Sequence, residues 1–223
     1  APKSGEPTYL RFVQQAPIPD YNYSRTFGWQ ATEITVQNGD ELYERIKDSP
    51  FKVNGPPRGI PTYPYLKAMG GTTGPGGEKI HLTWITEKRP DLAVAESFMG
   101  RVFIVTQGVP DLPQALEWYK TTFGNQYSPI RKLPSIALSV VTLKNGTKIE
   151  VDDFKDKGQP RRKPPGGLPP GVAVVSFECS DFDRYRDKFI AGEIKNPMQP
   201  HLGKRSGTMK GSAGEMMELL DVK

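Results

Sequence analysis

Gly77-Glu78-Lys79-Ile80-His81-Leu82, Gly146-Thr147-Lys148-Ile149-Glu150-Val151 and Gly214-Glu215-Met216-Met217-Glu218-Leu219 share one pattern: a glycine, three variable residues, a polar or ionisable residue, then an aliphatic one. Gly5-Glu6-Pro7-Thr8-Tyr9-Leu10 opens the chain with the same pattern. The four glycines stand 72, 69 and 68 residues apart, and so even a spacing marks a tandem array of units. Between the marks a second pattern recurs. Residues 30–46, 103–119 and 173–189 each run from an apolar strand into an amphipathic helix, with Asn38, Asp111 or Asp181 at the joint. A side-chain oxygen there satisfies unpaired N–H groups of the first helical turn.

Each unit therefore reads as strand, capped helix, two strands and a closing strand that carries the marked residue. The expected fold is α+β: tandem βαβββ modules that pair into curved sheets around clefts, the first module being incomplete. Residues 1–14 are read as the last strand of that incomplete module, 28–88 as the second, 100–156 as the third and 171–223 as the fourth. Residues 157–170, rich in proline, glycine and basic side chains, read as a linker, with Arg161-Arg162-Lys163 solvated. Side chains alternate along a strand, so Tyr9, His81, Glu150 and Glu218 face the clefts while Leu10, Leu82, Val151 and Leu219 pack beneath the helices. The opposite assignment would bury ionisable groups without partners.

Composition narrows the function. The chain has 223 residues, 36% hydrophobic and 25% charged, and no apolar run long enough to cross a bilayer, so no membrane partner is expected. A single cysteine, Cys179, excludes an internal disulfide or a cysteine-rich zinc site. Cytoplasm is the expected compartment. The net charge of +5 lies partly in the linker, which lacks stacking aromatics, so nucleic acid is not an expected partner. The glycines at 70–77 lack the lysine and helix start of a phosphate loop and read as a long hairpin connection.

Val105-Thr106-Gln107-Gly108-Val109-Pro110-Asp111-Leu112, followed by Ala115 to Lys120 and Phe123-Gly124, resembles the opening of a module in the vicinal oxygen chelate superfamily. That superfamily includes glyoxalase I, the extradiol dioxygenases and the bleomycin-resistance proteins. Gly214 to Leu219 resembles its closing strand, and Phe51-Lys52-Val53-Asn54-Gly55-Pro56-Pro57 the turn after its helix. The resemblance implies a divalent metal in the metal-dependent members, held by two residues from first strands and two from last strands. Seven residues before the caps, where the family places a first-strand ligand, stand Ala31, Ile104 and Val174, which cannot bind metal. Any metal ligands would be His81, Glu150 and Glu218, and a divalent metal remains an open cofactor.

With modules one and two sharing one cleft and three and four the other, His81, Glu33 and Tyr9 form the expected catalytic group. His81 would move a proton, Glu33 would assist and Tyr9 would donate to a developing oxyanion. Glu150 and Glu218 would share the second cleft. Tyr63, Tyr65, Trp29 and Phe27, with Tyr21 and Tyr23, are read as an aromatic rim for a small hydrophobic or aromatic molecule. His201 reads as a surface loop histidine, and Trp118 and Tyr119 as packing residues. The expected activity is proton transfer at a carbonyl substrate, as an isomerase, epimerase or lyase of the glyoxalase/dioxygenase-like type. A binding protein that sequesters an aromatic compound or antibiotic is the alternative, and an extradiol-type dioxygenase the third. A bare sheet edge in the incomplete module would recruit a partner, so a homodimer or companion fragment is expected.

Overall fold

Gly28–Val36 carries tryptophan, two threonines, isoleucine and valine, residues that suit a pleated strand covered on both sides, and forms the central strand β1. The computed structural model describes residues 8–16, 18, 26–89, 92, 94–197 and 201–223. After β1 come α1 (Gly39–Ile46), β2 (Arg58–Ile60), β3 (Tyr63–Thr73), β4 (Lys79–Ile85), β5 (Met99–Val109), α2 (Leu112–Phe123), β6 (Gln126–Tyr127), β7 (Arg131–Lys132), β8 (Ala137–Thr142) and β9 (Lys148–Asp153). The last part of the chain adds β10 (Val174–Cys179), β11 (Glu193–Lys195), β12 (Arg205–Lys210) and β13 (Met216–Asp221), with 3₁₀ turns at Lys155–Lys157 and Phe182–Lys188.

Two sheets result. The larger runs β2-β3-β4-β1-β5-β9-β8-β6, with β7 also on β8, and the smaller runs β10-β13-β12-β11. The first strand of each unit pairs in parallel with its last: β1 with β4, β5 with β9 and β10 with β13. In register the facing pairs are Glu33 and His81, Thr106 and Glu150, and Ser176 and Glu218, so the marked position recurs structurally as well as in sequence. The fold is thus α+β and built of βαβββ-type units.

How the units associate differs from the expectation. β1 pairs antiparallel with β5, so the unit of His81 and the unit of Glu150 share one curled sheet, while Glu218 lies on the smaller sheet. The marked positions are alike in every unit, so the pattern could not say which edges meet. Residues 8–14, expected as a closing strand, make no strand; their described contacts include Thr8 Oγ1 accepting from Val102 N at 2.9 Å. A single extended segment without a ladder has no source of strand stability. Residues 1–7, and with them the start of the first mark, lie outside the described residues.

Asn38 caps α1 by accepting from the N–H groups of Asp40 and Glu41 at 3.1 and 3.2 Å. Asp111 caps α2 by accepting from Gln114 N at 2.9 Å. Asn38→Ala is expected to cost about 1 kcal/mol, read as a shift of the urea midpoint at unchanged slope. Asp181 makes no such cap, and the segment after it is a 3₁₀ turn. Its buried residues, Phe182 and Tyr185, are three apart, the repeat of a 3₁₀ helix rather than of a long α-helical stripe.

The main core lies between α2, the larger sheet and the smaller one. Val105, Leu112, Leu116, Tyr119, Ile149 and Val151 meet Phe182, Met209, Met217 and Leu219 there, with Trp29 among them. A second cluster under α1 gathers Ile34, Val36, Leu42, Met69, Ile80 and Leu82. Tyr119 and Trp118 pack as expected, and the Tyr119 hydroxyl donates to Gln107 Oε1 at 3.0 Å. Arg161, expected in a solvated linker, instead turns inward: it donates to Thr26 Oγ1 at 3.0 Å, to Val172 O at 2.8 Å and to the Trp29 carbonyl. Carbonyls left without a ladder partner draw in the guanidinium fork. The glycines at 70–73 are likewise strand rather than connection: β3 extends to Thr73, and the turn closes through Gly77 N to Gly74 O at 2.9 Å.

Candidate active site

Joining β1 to β5 places the cleft-facing residues of two units side by side. The result is a hollow of about 210 Å³, lined by Gln30 and Ala31 from β1, Gly71 from β3, Lys79 and His81 from β4, Thr106 from β5, Glu150 and Asp152 from β9, and Phe154. Glu33 faces His81 across the β1–β4 ladder. Gly108 makes room for the wall, since a Cβ there would come 2.5 Å from the Phe154 ring. Opposite His81 the β3–β4 register slips between Met69 and Thr72, with Gly71 at φ 73°. Such a bulge bends a strand beside a site without breaking the sheet.

His81 Nδ1 stands 4.0 Å from Glu33 Oε1, and Thr83 Oγ1 donates to Glu33 Oε2 at 3.5 Å. Burial pushes the Glu33 carboxyl up to about 8, and the nearby charge of Glu150 adds to this while the Thr83 hydroxyl works against it. Asp152 is also pushed to about 8, first by burial and then by Glu150 and Glu33. Burial raises Glu150, with Arg131 opposing. His81 is lowered by burial and by Lys79. At neutral pH the pair is therefore a carboxylic acid that keeps its proton beside an uncharged imidazole, the separation that lets one group donate and its neighbour accept.

The other expected site residues lie elsewhere. Tyr9 is 60% exposed, its ring edge-on to His201 with centroids 6.3 Å apart, because its segment joins no sheet that could aim it. Glu218 accepts a hydrogen bond from Ser176 on the smaller sheet. Glu150 and Glu218, expected to share a second cleft, stand on strands of different sheets, β9 and β13, and Glu218 is not among the residues that line the hollow of Glu150. Trp29 is wholly buried in the core, and Phe27 packs over Gly158, because both fall on the side of β1 turned to the rest of the chain. Tyr63 and Tyr65 stack 6.0 Å apart. Arg131 from the neighbouring unit lies 5.2 Å over Tyr63, and Arg89 4.1 Å over Tyr65, so this pair is half of a mixed aromatic and cationic cluster. Tyr21 and Tyr23 lie outside the described residues.

Gln30, Lys79, Asp152 and Phe154 were not singled out from the sequence. Asp152 sits two residues beyond Glu150 on the same strand face, and that alternation could have found it. Gln30 could not be found so, because its position depends on a slip in the β1–β5 register between Trp29 and Ala31.

The family metal does not fit this donor set. His81 and Glu150 occupy the two last-strand positions in one hollow, but Ala31 and Ile104 at the first-strand positions carry no donor atom. Among the described residues no three His, Cys, Asp or Glu side chains are grouped to hold an ion, so no metal step enters the chemistry below.

No family model and no curated protein matches this sequence. Solved structures do. Two mutants of glyoxalase I from Zea mays superpose with TM-scores of 0.61 and 0.59, each at 14% identity and over 88% of this chain, covering 68% and 69% of their own. Glyoxalase I from Zea mays itself gives 0.57 at 14% identity, over 88% of this chain and 68% of that one. At this identity the likeness concerns the fold alone: the chain shares the fold of glyoxalase I from Zea mays.

Proposed function

We propose that this chain is an enzyme that moves a proton at the carbon next to a carbonyl, with His81 as the base and Glu33 as the acid. The observation that carries this reading is an uncharged imidazole that lines a hollow fit for a small molecule, with a proton-holding carboxyl 4.0 Å behind it. His81 takes the proton from the α-carbon, and Glu33 donates a hydrogen bond to the enolate oxygen that develops. Glu33 thereby supplies the donor expected of Tyr9. Returning a proton to the same carbon from the opposite face makes the reaction an epimerisation. On an α-hydroxy carbonyl compound, returning it to the former carbonyl carbon while the enediol's hydroxyl proton passes between the two oxygens makes it an isomerisation, and the fold is shared with an enzyme named glyoxalase I.

Deuterium exchange tests this directly. In D₂O at neutral pH the protein is expected to wash deuterium into the α-position of an accepted carbonyl compound, followed by NMR across a panel of small aldehydes and ketones. No exchange with any compound that binds the hollow would leave the alternative, a protein that binds without chemistry, whose support is the cluster of Tyr63, Tyr65 and Arg131.

Glu33 makes a further prediction with a sign that can be worked out. The unfolded carboxyl releases its proton near its ordinary 4.5, whereas the folded one holds it to about 8. Between those values the folded state binds more protons, so this group lowers stability as pH rises, and the full loss is reached above about 8. Glu33→Gln is therefore expected to slow exchange and yet stabilise the protein at pH 9 by roughly 1–3 kcal/mol, with the advantage vanishing near pH 5. Thermal midpoints of both proteins across that range would show the gap widening; a gap independent of pH would exclude a buried, proton-holding Glu33.

A further inference from the structure

The β1 slip that pairs Ala31 rather than Gln30 with β5 turns the Gln30 side chain to the hollow. Gln30 is 7% exposed. Its amide nitrogen donates to two carbonyls, Thr26 O and, at 3.2 Å, Gly28 O. Reversing the amide would set its oxygen against both carbonyls, so the orientation is fixed and Gln30 Oε1 is an acceptor. That oxygen is buried and has no hydrogen-bond partner. Asp152 Oδ1, lining the same hollow from β9, is buried and unpartnered too. An unpartnered buried acceptor costs about 1–3 kcal/mol, and two on side chains that line one hollow suit a donor that arrives with the ligand.

The charges around these acceptors select the kind of donor. Glu150 and Asp152 project from alternate positions of β9, with Glu33 across the ladder on β1. At pH 7 Asp152 and Glu33 keep their protons, and an arriving cation displaces the one on Asp152. Of the nearby cations, Lys79 Nζ donates to Thr73 Oγ1 at 2.7 Å, and Arg131 lies over the Tyr63 ring while its charge also acts on Glu150. His81 is uncharged. An anion would meet carboxyls and carbonyl oxygens, and a metal ion would need three or more converging ligands. An ammonium group has three N–H donors and a positive charge, and it satisfies directed acceptors without a coordination shell.

We propose that the hollow binds the ammonium group of a small amine, with Gln30 Oε1 and Asp152 Oδ1 accepting its N–H bonds and Glu150 flanking it with charge. This deepens the reading of the site given above, since it makes the substrate a small carbonyl compound that also carries an amine. The ammonium anchors the molecule against β1 and β9, and the rest of it reaches toward His81 and Glu33.

Binding is tested without turnover. n-Propylamine, n-propanol, propionate and manganese(II) are each titrated into EDTA-treated, dialysed protein at pH 7 by calorimetry and NMR. The amine is expected to saturate one site, with propanol and propionate at least tenfold weaker. Asp152→Asn, which keeps the side chain's shape, and Gln30→Leu are each expected to weaken the amine at least tenfold, whereas His81→Gln leaves it within about threefold. Asp152→Asn leaves the Gln30 bonds to Thr26 O and Gly28 O in place and so is the decisive variant, and a thermal midpoint of Gln30→Leu guards against a folding defect there. Equal binding of amine and propanol, saturation by manganese without the amine, or full affinity in Asp152→Asn would overturn the inference. Amine binding with no α-proton exchange would refute the catalytic reading alone, and exchange on neutral carbonyl compounds with no amine binding would refute this inference alone.

Discussion

His81→Gln is expected to lower the rate of α-proton exchange about 10²–10⁴-fold, the range that a positioned general base contributes, with ligand affinity nearly unchanged. Glutamine preserves size and polarity but cannot take up a proton, so the loss would isolate proton transfer from binding. The pH profile should carry two limbs. His81 is lowered by burial and by Lys79, so activity rises as the imidazole loses its charge below its ordinary 6.5. It then falls as Glu33 releases its proton near about 8 and can no longer donate to the enolate oxygen. Glu33→Gln should erase the upper limb and keep the lower. Tyr9→Phe should change neither rate nor profile, since Tyr9 lies outside the hollow. A His81→Gln protein that exchanges at the parent rate would remove the imidazole from the chemistry altogether.

Much of this arrangement was legible in the sequence because it is local. The marks at Gly77, Gly146 and Gly214 located three closing strands, β4, β9 and β13, and the Asn38 and Asp111 caps located the starts of two helices. Counting back from the Asn38 cap set Glu33 on the cleft face of its strand, and the mark at Gly77 set His81 toward the same cleft. What the sequence lacked was the association of units. Every unit offers a similar β-strand edge, and the choice of β1 against β5 is decided by packing across some seventy residues of chain rather than by any short motif. Glu150 was therefore assigned to the wrong partner, although its direction toward a cleft was read from its own strand. Arg161 shows the same limit at smaller scale: a basic residue among prolines looks solvated until the carbonyls that capture it, Trp29 O and Val172 O, are known. Register slips are the other blind spot, since one displaced residue moved Gln30 from an anonymous strand position to the cleft wall.

That displaced residue ties the site to the core, and Trp29→Ala is the substitution that should show it. Trp29 is completely buried. Its indole N–H donates to Met216 O on β13 at 2.8 Å, its ring lies 6.0 Å from that of Phe177 on β10, and its carbonyl accepts from Arg161. Trp29 thus ties the larger sheet to the smaller one through its side chain and to the 157–170 segment through its backbone carbonyl. Truncation to alanine is expected to cost about 3–5 kcal/mol for the cavity and lost packing. The carbonyl of Met216, losing its donor, adds to the upper end of that range. At about 2–4 °C per kcal/mol for a chain of this size, the thermal midpoint should fall by roughly 6–20 °C. Trp29→Phe keeps most of the burial and loses only the N–H, so it should cost far less. Because Gln30 follows Trp29 in the same slip, the alanine variant should also bind n-propylamine more weakly at temperatures where it remains folded, while Trp29→Phe should not. A stable Trp29→Ala protein with full amine affinity would mean that the bulge holds its shape without its anchor, and that core and cleft are independent.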